Sequence, residues 1–305
     1  MKFQEGLIRL KKRTDKFFLL TGPEEFLRDL FIRTASSMSG AVFSFDKSSK
    51  DAIQTMSCKS LMGTRTFIVR DIDVVSVLDS ISDDIVVCVA DDLKSKAVTG
   101  LLSKVIHVAC EGFREYNDEY PNWISSTLFG SGCSFEDGVP DRVYQKVGPS
   151  LYTIANELEK LIIISNNKHI TLKDVDDYVS LTAQASAFQI LDYVLSRDKK
   201  KCLDAYDIYY NTYEDILDLV KFMCLYMEKM YRIQVLAEQK TDMSVIADIV
   251  GIHQFLLRTK YMPKLNMVGK TWVSNKFNDL CRLDIMVRHR YSEASYFISN
   301  FFFNL

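Results

Sequence analysis

No apolar run in this chain approaches the ~18 residues needed to span a bilayer, which excludes a helical membrane anchor. The N-terminal stretch is interrupted by Lys2, Glu5, Arg9, Lys11, Lys12 and Arg13, so no signal-peptide core is read there. Phe301-Phe302-Phe303 is too short to anchor anything. Neither charge sign dominates: 38 bases against 40 acids leave a net −2 and a pI of about 6.1. That balance excludes a polycationic coat for nucleic acid and leaves room only for a local patch. C-x-x-C pairs are absent as well. The seven cysteines, at 58, 88, 110, 133, 202, 224 and 281, are odd in number and carry no zinc or redox spacing. Without an export signal they read as reduced thiols of a cytoplasmic protein. The four histidines (107, 169, 253, 289) have no metal-ligand spacing. No Ser/His/Asp or Cys/His arrangement can be inferred, and there is no internal repeat or low-complexity tract. The reading is therefore no catalytic residue, no metal and no cofactor.

What is present is an ordinary globular mixture. Of 305 residues, 48% are hydrophobic and 26% charged, enough for sizeable cores in two or three domains. Short apolar, β-rich runs recur at 17–21, 42–45, 66–70, 85–89 and 105–108, with helix-like stretches near 24–37, 47–60, 73–81 and 94–103. Continuous rather than alternating apolar runs point to strands covered on both faces. Their alternation with helices predicts a parallel, doubly wound α/β sheet.

Residues 113–138 are looser and richer in turn formers, as at a hinge. Beyond Pro140 the strand signal fades. Leu151, Ile154, Leu158 and Leu161 recur at helical spacing. Thr171 with Asp174 has the form of a capping box opening a helix through Val179. Three stripes follow: Phe188, Leu191 and Leu195; then Leu217, Val220, Cys224, Met227 and Tyr231; then Leu280, Leu283, Val287, Tyr291, Ala294 and Ile298. Such stripes predict helix-on-helix packing.

The first strand-to-helix turn of an α/β nucleotide-binding protein holds phosphate. A phosphate loop needs glycines, free backbone amides and a Lys-Ser/Thr pair. Here the turn reads Leu20-Thr21-Gly22-Pro23-Glu24-Glu25, with one glycine, an imide nitrogen and two acids where phosphate charge would sit. Carboxylates at a helix N-terminus occupy the place of an anion, so the turn reads as structural. Asp91-Asp92 after the fourth strand could hold magnesium, but without a phosphate loop they read as a solvated turn. Asp174, Asp176 and Asp177 suit a helix start.

Residues 244–260 fit a helix-turn-helix with its turn at Gly251, a motif that can place a helix in a DNA groove and that also arises in plain bundle packing. Between 255 and 291 stand eight bases (Arg258, Lys260, Lys264, Lys270, Lys276, Arg282, Arg288, Arg290) against two acids, Asp279 and Asp284. That local excess suits a surface tracking a phosphate backbone. In the α/β part, Met56-Ser57-Cys58-Lys59-Ser60-Leu61-Met62-Gly63 reads as the end of a helix capped by Gly63. Leu61 and Met62 at its tip either pack under the sheet edge or form an apolar plug for a partner's groove.

These pieces, in this order, resemble the delta subunit of the bacterial DNA polymerase III clamp loader. Phe18-Leu19-Leu20-Thr21-Gly22-Pro23-Glu24-Glu25-Phe26-Leu27 resembles that family's first strand and degenerate phosphate loop. Ser60-Leu61-Met62-Gly63-Thr64-Arg65 with Phe67-Ile68-Val69 resembles its clamp-binding helix tip and next strand. Val147-Gly148 and Ala155-Asn156-Glu157-Leu158-Glu159-Lys160-Leu161, then Ile170-Thr171 and Asp174-Val175, are similar to its middle domain. Ala187-Phe188-Gln189-Ile190-Leu191-Asp192 is similar to the start of its collar.

The resemblance implies an AAA+-like α/β domain without a functional phosphate loop (1–112), a small helical lid (113–182) and a helical collar (183–305). It implies a non-enzymatic subunit of an ATP-driven assembly that opens a sliding clamp for loading onto primer–template DNA, without binding ATP itself. Implied partners are the clamp, loader ATPases with intact phosphate loops, and primer–template DNA, with no membrane. The clamp contact falls on Leu61 and Met62, where the family usually has Leu-Phe. DNA-contact candidates are Lys270, Lys276, Arg288, Arg290 and Tyr291, the last resembling by position an aromatic that stacks at the primer–template junction. The first domain is shortened between its first helix and residue 60, as in a divergent version, a viral one in a host cytoplasm included. The rival reading is a helix-turn-helix regulator binding duplex DNA through 244–260 with no partner.

Overall fold

The computed structural model describes residues 1–46, 49, 51–60, 63–70, 78, 83–90, 104–114, 117–166, 168–213 and 215–305. The chain divides into two compact units, Met1–Phe113 and Arg114–Leu305.

In the first unit the apolar runs become five strands: β1 (Phe17–Thr21), β2 (Ala41–Phe45), β3 (Arg65–Arg70), β4 (Ile85–Val89) and β5 (Ile106–Ala109). All pairings are parallel, in the order β2-β3-β4-β1-β5. Phe18, Leu19, Leu20, Phe67, Val86 and Val87 are fully buried, as the unbroken apolar runs of a sheet covered on both faces require. Helix α1 (Phe3–Lys11) precedes the sheet and was missed in the sequence, although Phe3, Leu7 and Leu10 recur at helical spacing. It lies close against β5: a Cβ on Gly6 would meet Val108 Cγ2 at 2.6 Å. Met1 and Lys2 pair with the outer edge of β5, where Met1 O accepts from Ala109 N at 3.2 Å. Helix α2 (Glu25–Ser37) follows β1.

Helix α3 (Ala52–Ser57) is shorter than the 47–60 reading. Cys58 is already extended (φ −72°, ψ 133°), so the helix ends four residues before Leu61 and is not capped by Gly63. The helices read at 73–81 and 94–103 lie outside the described residues, as do Asp91 and Asp92, apart from Leu78, which is buried.

The second unit is helical: α4 (Glu119–Gly130), α5 (Val139–Val147), α6 (Leu151–Ile164), α7 (Leu172–Tyr178), α8 (Ala183–Ser196), α9 (Lys199–Tyr213), α10 (Ile216–Glu238), α11 (Met243–Val250), α12 (Gln254–Leu256), α13 (Met262–Val268), α14 (Lys270–His289) and α15 (Ala294–Phe303). A two-residue parallel pair, β6 (Ser134–Phe135) with β7 (His169–Ile170), is an addition that no period-2 run could announce. Thr171 and Asp174 form the reciprocal capping box, Thr171 N donating to Asp174 Oδ2 at 2.8 Å. The largest core runs from Ala187 to Phe302 and includes no residue before α8. On α10 the buried stripe is Ile216, Leu219, Val220, Met223, Met227 and Met230, rotated from the stripe read in the sequence, so Leu217, Cys224 and Tyr231 sit at its margin.

Candidate functional site

The end of β1 is where a phosphate loop would stand, and the chain fills it with itself. Gly22 has φ +116°, and a Cβ there would lie 2.3 Å from Cys110 O. Cys110 O also accepts from Glu24 N at 3.1 Å, and Cys110 N donates to Thr21 O at 2.6 Å. Glu24 is the N-cap of α2, its Oε1 accepting from Phe26 N at 3.3 Å. Two of the amides an anion would need are thus taken, and Pro23 has none. Thr21 Oγ1 meets His107 Nε2 at 2.7 Å, and burial, then the Met1 ammonium, push the imidazole below its ordinary value. Burial pushes the Cys110 thiol up to about 12, with Arg28 opposing and Glu24 adding, which leaves it unreactive.

Leu61 and Met62 lie outside the described residues. Arg65 opens β3 and is buried, as is Asp84 just before β4. Arg65 Nη2 donates to Asp84 Oδ2 at 2.7 Å, its Nε to the same oxygen at 3.2 Å, and its backbone N to Asp84 Oδ1 at 2.9 Å. The same guanidinium donates to Cys58 O at 2.6 Å and Thr55 O at 3.4 Å, and lies 4.8 Å from the Phe67 ring centroid. This network satisfies two of the carbonyls at the end of α3, those of Thr55 and Cys58. Sequence reasoning missed it: no spacing rule links residues 65 and 84.

In the second unit the basic excess of 255–291 is largely answered. Lys264 pairs with Asp192 and Lys270 with Glu238, acids carried by α8 and α10 outside the counted window. Arg288 pairs with Asp284 at 2.9 Å and Arg290 with Glu293 at 3.7 Å. Lys260 lies over the Phe188 ring. Arg258 and Arg282 form no ion pair among the described residues. Lys276 is buried, not a surface base: its Nζ donates to Asn304 O at 2.7 Å and Asp279 Oδ2 at 2.9 Å, over the Phe301 ring. Tyr291 is 53% exposed. Its place in a buried stripe fails because α14 ends at His289 and Arg290 leaves helical geometry (φ −135°, ψ 63°), which breaks the period before Ala294 restarts it.

Residues 244–260 are a helix-turn-helix in outline. Gly251 ends α11 in the left-handed region, but α12 has three residues and runs into a π turn at Leu257–Tyr261. Leu257, Tyr261 and Leu265 belong to the core, so that face is committed to packing.

The parallel β2-β3-β4-β1-β5 sheet followed by helices is an AAA+-like fold, and the chain shares it with a solved clamp loader delta protein. The chain matches the Bacillus subtilis DNA clamp loader delta protein with a TM-score of 0.72 and 15% identity, over 99% of this chain and 98% of that one. It is also similar in sequence to a probable DNA polymerase III subunit delta of Aquifex aeolicus (strain VF5), 25% identical over 172 residues. That match covers 56% of this chain and spans about half (49%) of that relative's length. No family model matches the chain. Among the described residues no group of His, Cys, Asp and Glu could hold a metal ion, and no helix is long and apolar enough to cross a membrane. None of the seven cysteines is in a disulfide.

Proposed function

We propose that the chain is a clamp-loader delta-like subunit in DNA replication, a non-enzymatic, cytoplasmic part of an ATP-driven assembly. The observation that carries this is its end-to-end likeness to a clamp loader delta protein. The filled turn at Gly22–Glu25 supports the absence of ATP binding, because the amides and the space are already used. On this reading 1–112 is the α/β domain, 113–182 a lid and 183–305 a collar; the large core confined to Ala187–Phe302 supports the second boundary. Leu61 and Met62 engage the sliding clamp. The collar joins loader subunits that carry intact phosphate loops. Arg288, Arg290, Lys270 and the exposed Tyr291 face primer–template DNA once the complex is assembled, with Lys276 left to structure. Surface pairs such as Arg288–Asp284 are weak and can exchange a carboxylate for a phosphate.

The test is purification of the chain from its native context. A ring-forming clamp and an ATPase with an intact phosphate loop should copurify, while calorimetry of the isolated chain with Mg-ATP shows no heat of binding. Stoichiometric, magnesium-dependent nucleotide binding, or sequence-specific duplex binding with no copurifying protein, contradicts the proposal.

A further inference from the structure

The helical unit is packed in two parts. Val143, Ile154, Leu158, Leu161 and Val175 are buried in the first, and the core from Ala187 to Phe302 fills the second. Among the described residues no apolar side chain before Ala183 packs against that second core. Parts of a chain joined without a large apolar interface move against each other by default. Here the linker from Val179 to Thr182 is tied down by hydrogen bonds instead. Thr182 is the N-cap of α8, its Oγ1 accepting from Ala185 N at 3.2 Å. The same Oγ1 donates to Val147 O at 3.0 Å, and Thr182 N donates to Lys146 O at 3.0 Å. Those two carbonyls end α5, where a helix leaves its last acceptors without partners. One threonine thus starts a helix of the second part and finishes a helix of the first. Capping α8 alone would need only the bond to Ala185. Tyr213, the last residue of α9, donates its hydroxyl to Leu181 O. On the other side of the linker, Ser180 N donates to Glu157 Oε2 at 3.3 Å.

We propose that Thr182 and Tyr213 form a latch at the joint between lid and collar. Closed, it holds the two parts in one orientation; opened, it lets them turn about residues 179–182. Hydrogen bonds rather than an apolar surface hold the joint, and each contributes little net stability. Few groups therefore have to let go, and a partner that binds the open form better can shift the balance toward it. The boundary at 182 is then a latch and not a free hinge. The inference concerns the chain itself, so it stands or falls separately from clamp binding.

The experiment measures distance distributions in the full chain by pulsed electron spin resonance. Spin labels go onto ketone-bearing residues that replace Lys173 and Gln239, both exposed, so the native cysteines stay unlabelled. The wild-type chain should give one narrow distribution, and Thr182→Ser, which keeps the hydroxyl, the same one. Thr182→Val with Tyr213→Phe removes two bonds across the joint, and the minor population at other distances should rise roughly tenfold. A broad wild-type distribution, or a double variant as narrow as wild type, overturns the proposal. Thr182→Val also uncaps α8, so Tyr213→Phe alone is measured as well. It leaves that cap in place and should shift the distribution in the same direction. If the double variant does not fold, this single variant decides, and an unchanged distribution overturns the latch.

Discussion

In the α/β unit one charged pair is inside the molecule. Arg65 and Asp84 are buried together, and Glu24 is spent on the N-terminus of α2. In the helical unit, five of the eight bases between 255 and 291 meet carboxylates (Lys264, Lys270, Lys276, Arg288 and Arg290), and only Lys276 among them is buried. Buried charge is fixed, because it has no water to fall back on. Exposed pairs are cheap to open and can be traded for another anion. The same residue types thus build geometry where they are buried and offer an adjustable surface where they are exposed.

The contrast is broken most severely at Arg65. Arg65→Met alone leaves Asp84 buried without its cation, and should lower unfolding free energy by about 3–5 kcal/mol in denaturant titration. A change under about 1 kcal/mol would place the pair with ordinary surface ion pairs. Gly22→Ala is the next largest test. It forces a Cβ onto Cys110 O in a left-handed conformation, and a cost of at least about 1–3 kcal/mol is expected. Retained stability would mean that the turn is open enough for a ligand after all.

Within the helical unit, Lys276→Ala should destabilise by about 1.5–3 kcal/mol through its lost charged hydrogen bonds. Arg282→Ala should stay within about 0.5 kcal/mol of wild type. In assembled complexes charge reversal at Arg288 and Arg290 should instead weaken DNA binding and lower its salt slope. Equal stability effects would erase the distinction between buried and exposed bases drawn here.

Much of this was legible. The five strands stand where unbroken apolar runs place them, and Thr171-x-x-Asp174 announced its own cap. Local periodicity carries such features because the residues involved are neighbours in the chain. What the sequence hid is long-range. The acids that answer the basic cluster sit on α8 and α10, so a window count overstated its charge. The Arg65–Asp84 network joins residues 19 apart across two strands. Tyr291 shares a helical period with Val287, but a single break at Arg290 turned it outward.

The smallest expected effect is on pH. Burial, then the Met1 ammonium, hold His107 below its ordinary value, so the unfolded chain takes the proton more readily than the folded one. The stability contributed by neutral His107 is complete above about pH 6.5. It is lost as pH falls from there toward the lowered folded value. His107→Gln keeps a polar partner for Thr21 and should flatten that slope in unfolding measured from pH 7.5 to 5.

The central claim is tested most directly by one paired measurement on Leu61→Ala with Met62→Ala: affinity for the sliding clamp without nucleotide, and thermal unfolding of the free subunit. Two apolar side chains buried in a partner pocket contribute about 3–6 kcal/mol together, a hundredfold or more in affinity. The account predicts that clamp binding is lost while the melting temperature stays near wild type. Truncating two core residues would instead cost about 2–5 kcal/mol each in folding stability; such a loss with clamp affinity unchanged would contradict it.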